Sequence, residues 1–212
     1  TFAATWLVWL PVAILPLGQP FWLVPIVVLG AFMPSVMGVV FGAVRAAPVA
    51  KHEYWRRLFN PKLIPARYWA FILLLAPGLN LTGYLVAKAL GAPQFELDPS
   101  SFGSPASLLL FLFFTLLSGP LAEELGWRGL LLPELLKKHT ALGSTLFVGL
   151  IWVIWHLPLF FIEGTPQAAQ GLFTSSGAQW IIEVLALSVI VSWLFMRTGM
   201  STLGAVMIHF MD

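Results

Sequence analysis

The chain has 212 residues, 59% of them hydrophobic and only 9% charged, with eleven basic and nine acidic side chains and a formal net charge of +2. A mean hydropathy of +0.90 excludes an ordinary soluble domain, where about a quarter of residues are charged, and equally a disordered tail or a nucleic-acid module. The absence of cysteine excludes a disulfide scaffold, so lipid must solvate most of the exterior.

A membrane-spanning helix needs about 20 apolar residues, and in chain order the sequence predicts spans near 3-18, 21-44, 68-90, 105-137, 141-162, 178-196 and from 199 onward. The expected fold is all-α, a polytopic bundle of about seven to eight transmembrane helices. The first span is interrupted by Pro11 and Pro16 and meets the second across Gly18-Gln19-Pro20, as a hairpin or as one broken element. The connection 45-67 carries Arg45, Lys51, Arg56, Arg57, Lys62 and Arg67, which by the positive-inside rule places it on the cytoplasmic side. Tyr54, Trp55, Leu58, Phe59 and Trp69 interleave with these charges, as suits a segment lying among lipid headgroups. Basic residues are absent around Glu96 and Asp98, return at Lys137 and Lys138, are absent around Glu163 and Gln170, and return at Arg197; only Lys88 breaks the alternation. No internal repeat or long linker divides the chain, so 1-212 is expected to form one transmembrane domain. Long continuous apolar runs without alternation disfavour a β-barrel.

Ionisable groups inside hydrocarbon cost on the order of 3 kcal/mol each, so each is a functional hypothesis. Five stand out: Glu123, Glu124, His156, His209 and Glu183. Counting helical rise at about 1.5 Å per residue from the basic residues places Glu124 about 21 Å deep, His156 about 22 Å and His209 about 18 Å. Three helices thus deliver polar groups to one level. Glu124 and Arg128, four apart, share a helix face and are expected to pair, whereas Glu123 is turned about 100° away and is the freer carboxylate. Glu123 meeting His156 across a helix interface would hold and deprotonate a water, and His209 would donate a hydrogen bond to the oxyanion formed when that water attacks an amide. The plainer alternatives are a helix-stabilising Glu124–Arg128 pair, hydrogen-bonded interior histidines, a shallow Glu183, and Trp152 and Trp155 as packing residues. Gly119-Pro120 is expected to loosen the helix just before the carboxylates.

At these residues the chain resembles the CAAX-protease and bacteriocin-processing family, the CPBP or Abi-like intramembrane proteases. Glu123, Glu124 and Arg128 match that family's Glu-Glu-x-x-x-Arg motif. Its Phe-x-x-x-His motif reads Trp152-Val-Ile-Trp-His156 here, with the histidine kept and the aromatic substituted. His209 opens a third, His-x-x-x-Asn, whose Asn position follows Asp212. The resemblance covers about residue 106 onward, with the motif-bearing part in 119-212. It implies an α-helical intramembrane endopeptidase in which Glu123 and His156 activate water, Glu124 belongs to the catalytic motif, and His209 assists at the oxyanion. The Trp at position 152 bears on the shape of the substrate channel.

A zinc ion held by Glu123, His156 and His209 is an alternative to water activation without tight metal. The second is slightly favoured, because no His-Glu-x-x-His occurs on one helix and Arg128 lies beside a candidate ligand. The expected partners are membrane lipids and a peptide or protein substrate with a hydrophobic tail, prenylated or otherwise apolar, and not nucleic acid. Two other function classes fit the same residues: a proton-coupled transporter using them as a relay, and a catalytically idle immunity or scaffold protein.

Overall fold

The computed structural model describes residues 1–15, 23–91 and 103–212. The described residues are helical and connecting, with no strand among them. Five helices are long and apolar enough to cross a membrane: α2 (Leu23–Val44), α4 (Ala66–Ala89), α5 (Pro105–Leu136), α6 (Ala141–Phe161) and α7 (Ser175–Arg197). A shorter apolar helix, α1 (Phe2–Ile14), precedes them, α3 (Pro48–Phe59) lies between α2 and α4, and α8 (Thr202–Phe210) follows α7. The protein is a multi-pass helical bundle. The expected junction at Gly18-Gln19-Pro20 and the connection around Glu96 and Asp98 lie outside the described residues.

Lipid-type solvation explains which faces carry apolar side chains outward. Along α4 only Ile72 is buried, while Leu73, Leu74, Leu79, Leu81 and Leu85 are all exposed. Exposed apolar area on this scale is stable only against hydrocarbon. Helix α5 divides in two: Leu109, Phe111 and Phe114 in its first half are exposed, whereas Ala122 to Glu124 and Gly126 to Gly129 are buried. The second half is therefore the central element of the bundle.

That central stretch is not a regular α-helix. A π-helical turn spans Leu117–Leu121, one α-turn carries Ala122–Gly126, and a second π-turn spans Trp127–Leu131. Pro120, which lacks an N–H, sits inside the first, as the expected loosening requires. Inserted turns of this kind frequently mark functional sites because they re-aim side chains and free backbone groups. Side chains from neighbouring elements take up carbonyls of this stretch: Ser35 Oγ donates to Leu121 O at 2.7 Å, and the Tyr54 hydroxyl to Leu125 O at 3.1 Å. Burial pushes the Tyr54 phenol above its ordinary value, which keeps it a donor.

Helix α2 approaches α5 closely enough for backbones to touch. A Cβ on Gly126 would overlap the Pro34 carbonyl oxygen, and one on Gly38 would overlap the Leu125 carbonyl oxygen. Small residues permit such contact in membrane bundles. Because the obstructing atoms are backbone, Gly126→Ala should destabilise the protein by about 1–3 kcal/mol, seen as a lower thermal midpoint in detergent; an unchanged midpoint would show that the two helices can separate freely.

Helix α1 is pinned by its polar groups. Thr5 Oγ1 donates to Gly30 O at 3.0 Å, Trp9 Nε1 to Val27 O at 3.0 Å, and Trp155 Nε1 donates back to Thr5 Oγ1 at 2.9 Å. Thr140, Thr174 and Ser201 cap the starts of α6, α7 and α8 by accepting from the backbone N–H three residues on. The run from Arg197 to His209 departs from the continuous helix assumed in the depth count. Gly199 and Met200 have φ of 60° and 61°, and α8 begins only at Thr202. Helical rise from Thr202 to His209 is thus about 11 Å rather than about 18 Å, because left-handed residues end α7 and re-start the chain.

Candidate active site

Glu123, Glu124 and Arg128 all project from the buried half of α5, and Glu124 and Arg128 are both 0% exposed. As the four-residue spacing predicts, Arg128 Nη1 donates to Glu124 Oε1 at 2.8 Å. The same oxygen accepts from His209 Nδ1 on α8 at 2.9 Å. Arg128 Nη2 reaches α7, donating to Ser188 Oγ at 3.1 Å. One carboxylate thereby ties three helices together, and its charge is met by a guanidinium that is itself hydrogen-bonded.

Glu123 faces another neighbour. Its Oε2 accepts from Trp152 Nε1 on α6. Four residues on, His156 Nδ1 meets the Trp152 carbonyl at 2.8 Å. A carbonyl only accepts, so Nδ1 carries a proton, and in the neutral imidazole Nε2 keeps the lone pair. Rings on several sides fix the plane of His156, with Trp155 at 4.6 Å and Trp180 at 5.2 Å between centroids, both edge-on. The Trp152 ring lies under the Arg128 guanidinium at 4.8 Å and edge-on to His209 at 5.1 Å.

Glu123, His156 and His209 are therefore gathered around Trp152, with Glu124 joined to them through His209. No hydrogen bond joins Glu123 directly to His156 among the described residues; their connection runs through the indole and backbone of Trp152. His209, expected near the oxyanion, has its Nδ1 committed to Glu124 and can present only Nε2 to a substrate. Glu183 stands apart, exposed on α7 and accepting from Gln179 Nε2 at 2.8 Å. Among the described residues no group of three His, Asp or Glu side chains is arranged to hold a metal ion. The set Glu123, His156 and His209 is not closed into a ligand cage, and the buried Arg128 cation lies beside it.

Residues 105–211, which hold every one of these motif positions, match the family model described as "Type II CAAX prenyl endopeptidase Rce1-like". The chain belongs to this family. It is also 25% identical, over its whole length and 79% of the relative's, to a protein named "CAAX prenyl protease 2" from Methanococcus maripaludis. As a member of the CAAX prenyl endopeptidase family, the chain is an intramembrane endopeptidase, a hydrolase of peptide bonds. That membership favours a peptidase over the transporter and the idle scaffold.

Two contributors to this CAAX endopeptidase site make contacts that sequence does not reveal. Trp152 was read as packing and channel-shaping, although its position four residues before His156 puts both on one helix face. Ser188 carried a weaker signal, a small hydroxyl in an apolar span with Ser192 one turn later, and both prove fully buried.

Proposed function

We infer that the chain cleaves a peptide bond near the carboxyl terminus of a protein whose hydrophobic, prenyl-bearing tail lies in the bilayer. The curated relative's name supports the substrate class, and the exposed apolar faces of α4 and α5 give such a tail a hydrocarbon path along the protein. In this reading a water held beside Glu123 and His156 attacks the amide, and Glu123 takes its proton and returns it to the amine that leaves as the C–N bond breaks. The single observation that carries it is the shared anchoring on Trp152, which accounts for a fixed carboxylate oxygen and, in the neutral imidazole, for the His156 tautomer whose lone pair is on Nε2. His209, when it carries both ring protons, donates from Nε2 to the developing oxyanion while Glu124 supplies the counter-charge at Nδ1. Glu124 and Arg128 support the site through that contact and their links to Ser188.

The basic residues around α3 support a cytoplasmic position for the 45-67 connection. Lys51, Lys62 and Arg67 there are exposed, while Arg56 is paired to Glu53 at 2.6 Å. That pairing holds the Glu53 carboxyl below its ordinary range.

The test is cleavage of a farnesylated peptide by purified protein in proteoliposomes, with products read by mass spectrometry. A shortened prenyl peptide is expected, and proton uptake without a peptide product would favour a transporter instead. The same assay after chelation, with metal content measured on the purified protein, is expected to retain full activity; loss that zinc restores would replace the metal-free reading.

A further inference from the structure

We propose that Trp152 is a positioning residue for peptide hydrolysis, its indole N–H fixing the orientation of the Glu123 carboxylate. The inference deepens the reading of Glu123 as general base and rests on it. Trp152 is 2% exposed, so its N–H must be satisfied by protein, and Glu123 Oε2 satisfies it. The same side chain is held from other directions: the Arg128 guanidinium stacks on its face at 4.8 Å and His209 abuts it at 5.1 Å. Its carbonyl fixes His156 at 2.8 Å. A ring stacked against Arg128 and abutting His209 cannot rotate without disturbing both, so its one donor points in a defined direction.

A phenylalanine at this position would fill much of the same space and stack with Arg128, but it offers no donor. Here the aromatic residue therefore supplies a charge-assisted hydrogen bond to the base itself. With Oε2 held by the indole, the carboxylate cannot swing about its terminal torsion, and its other oxygen keeps one orientation toward a bound water. Orientation of this kind acts on the chemical step rather than on substrate binding.

The test replaces Trp152 by phenylalanine and, separately, by benzothienylalanine through site-specific incorporation. The second keeps the bicyclic shape and exchanges only N–H for sulfur. Both should lower kcat by about 10- to 100-fold with KM nearly unchanged, the loss expected for one hydrogen bond to a charged group. The thermal midpoint of the benzothienyl protein should stay near wild type, which separates lost orientation from lost packing. Wild-type kcat in the benzothienyl protein would overturn the proposal, as would a loss confined to KM. Glu123→Gln, assayed in parallel, distinguishes the two levels. If it is inactive while the benzothienyl protein is fully active, only the role of Trp152 fails; if it retains turnover, the assignment of Glu123 as base fails and the role of Trp152 with it.

Discussion

Glu123→Gln and His156→Ala should each reduce kcat for peptide cleavage by at least about 10²- to 10⁴-fold, the range a positioned general base contributes. Glutamine is the sharper of the two changes. It keeps the side chain's size and still offers an oxygen to Trp152 Nε1, so α5 and α6 should remain packed as they are. His156→Ala removes the imidazole Nε2 together with edge-on contacts to Trp155 and Trp180. Some loss of stability is therefore expected in that variant alone. If the two residues serve one water, the double variant should be scarcely worse than either single one, because groups acting as a unit are strongly non-additive. Multiplicative losses would mean that they act in separate steps.

Arg128→Met should produce the largest loss of stability. Glu124 and Arg128 are both fully buried, and Glu124 Oε1 is shared between Arg128 and His209. Removing the arginine leaves a buried carboxylate with one partner and strips Ser188 Oγ of another. Breaking a buried pair from one side costs about 3–5 kcal/mol, which for a chain of this size lowers the thermal midpoint on the order of 10 °C. Adding Glu124→Gln should recover much of that loss without recovering activity, since neutral packing replaces an unpaired charge while His209 loses its carboxylate. A midpoint that stays at the wild-type value in the single variant would show that the pair is not buried as described.

The spans of α2, α4, α6 and α7 were legible because a bilayer imposes one length on every apolar run. So was the Glu124–Arg128 pair, since helical spacing alone puts the two on one face. The two π-turns flanking Ala122–Gly126 were harder to read. Pro120 announces a disturbance, but where the extra residues are absorbed depends on Ser35 and Tyr54, side chains from distant parts of the chain. The break at Gly199 and Met200 shortens the helical path to His209, yet His209 still reaches Glu124, because contact between helices depends on how they dock and not on how far each has climbed. The hydrogen bond from Trp152 to Glu123 is hidden in the sequence for a chemical reason. An indole in an apolar span reads as bulk, and only a partner from another helix reveals that its N–H is in use.

In the proposed mechanism water attacks the peptide bond directly, with Glu123 taking its proton and forming no bond to the substrate. Single-turnover cleavage in H₂¹⁸O, followed by mass spectrometry of both product and acid-quenched protein, tests it most directly. One ¹⁸O should appear in the new carboxyl group of the shortened prenyl peptide, and the protein should remain unmodified throughout. An acyl adduct trapped on Glu123, or ¹⁸O recovered in its carboxyl group, would contradict the account.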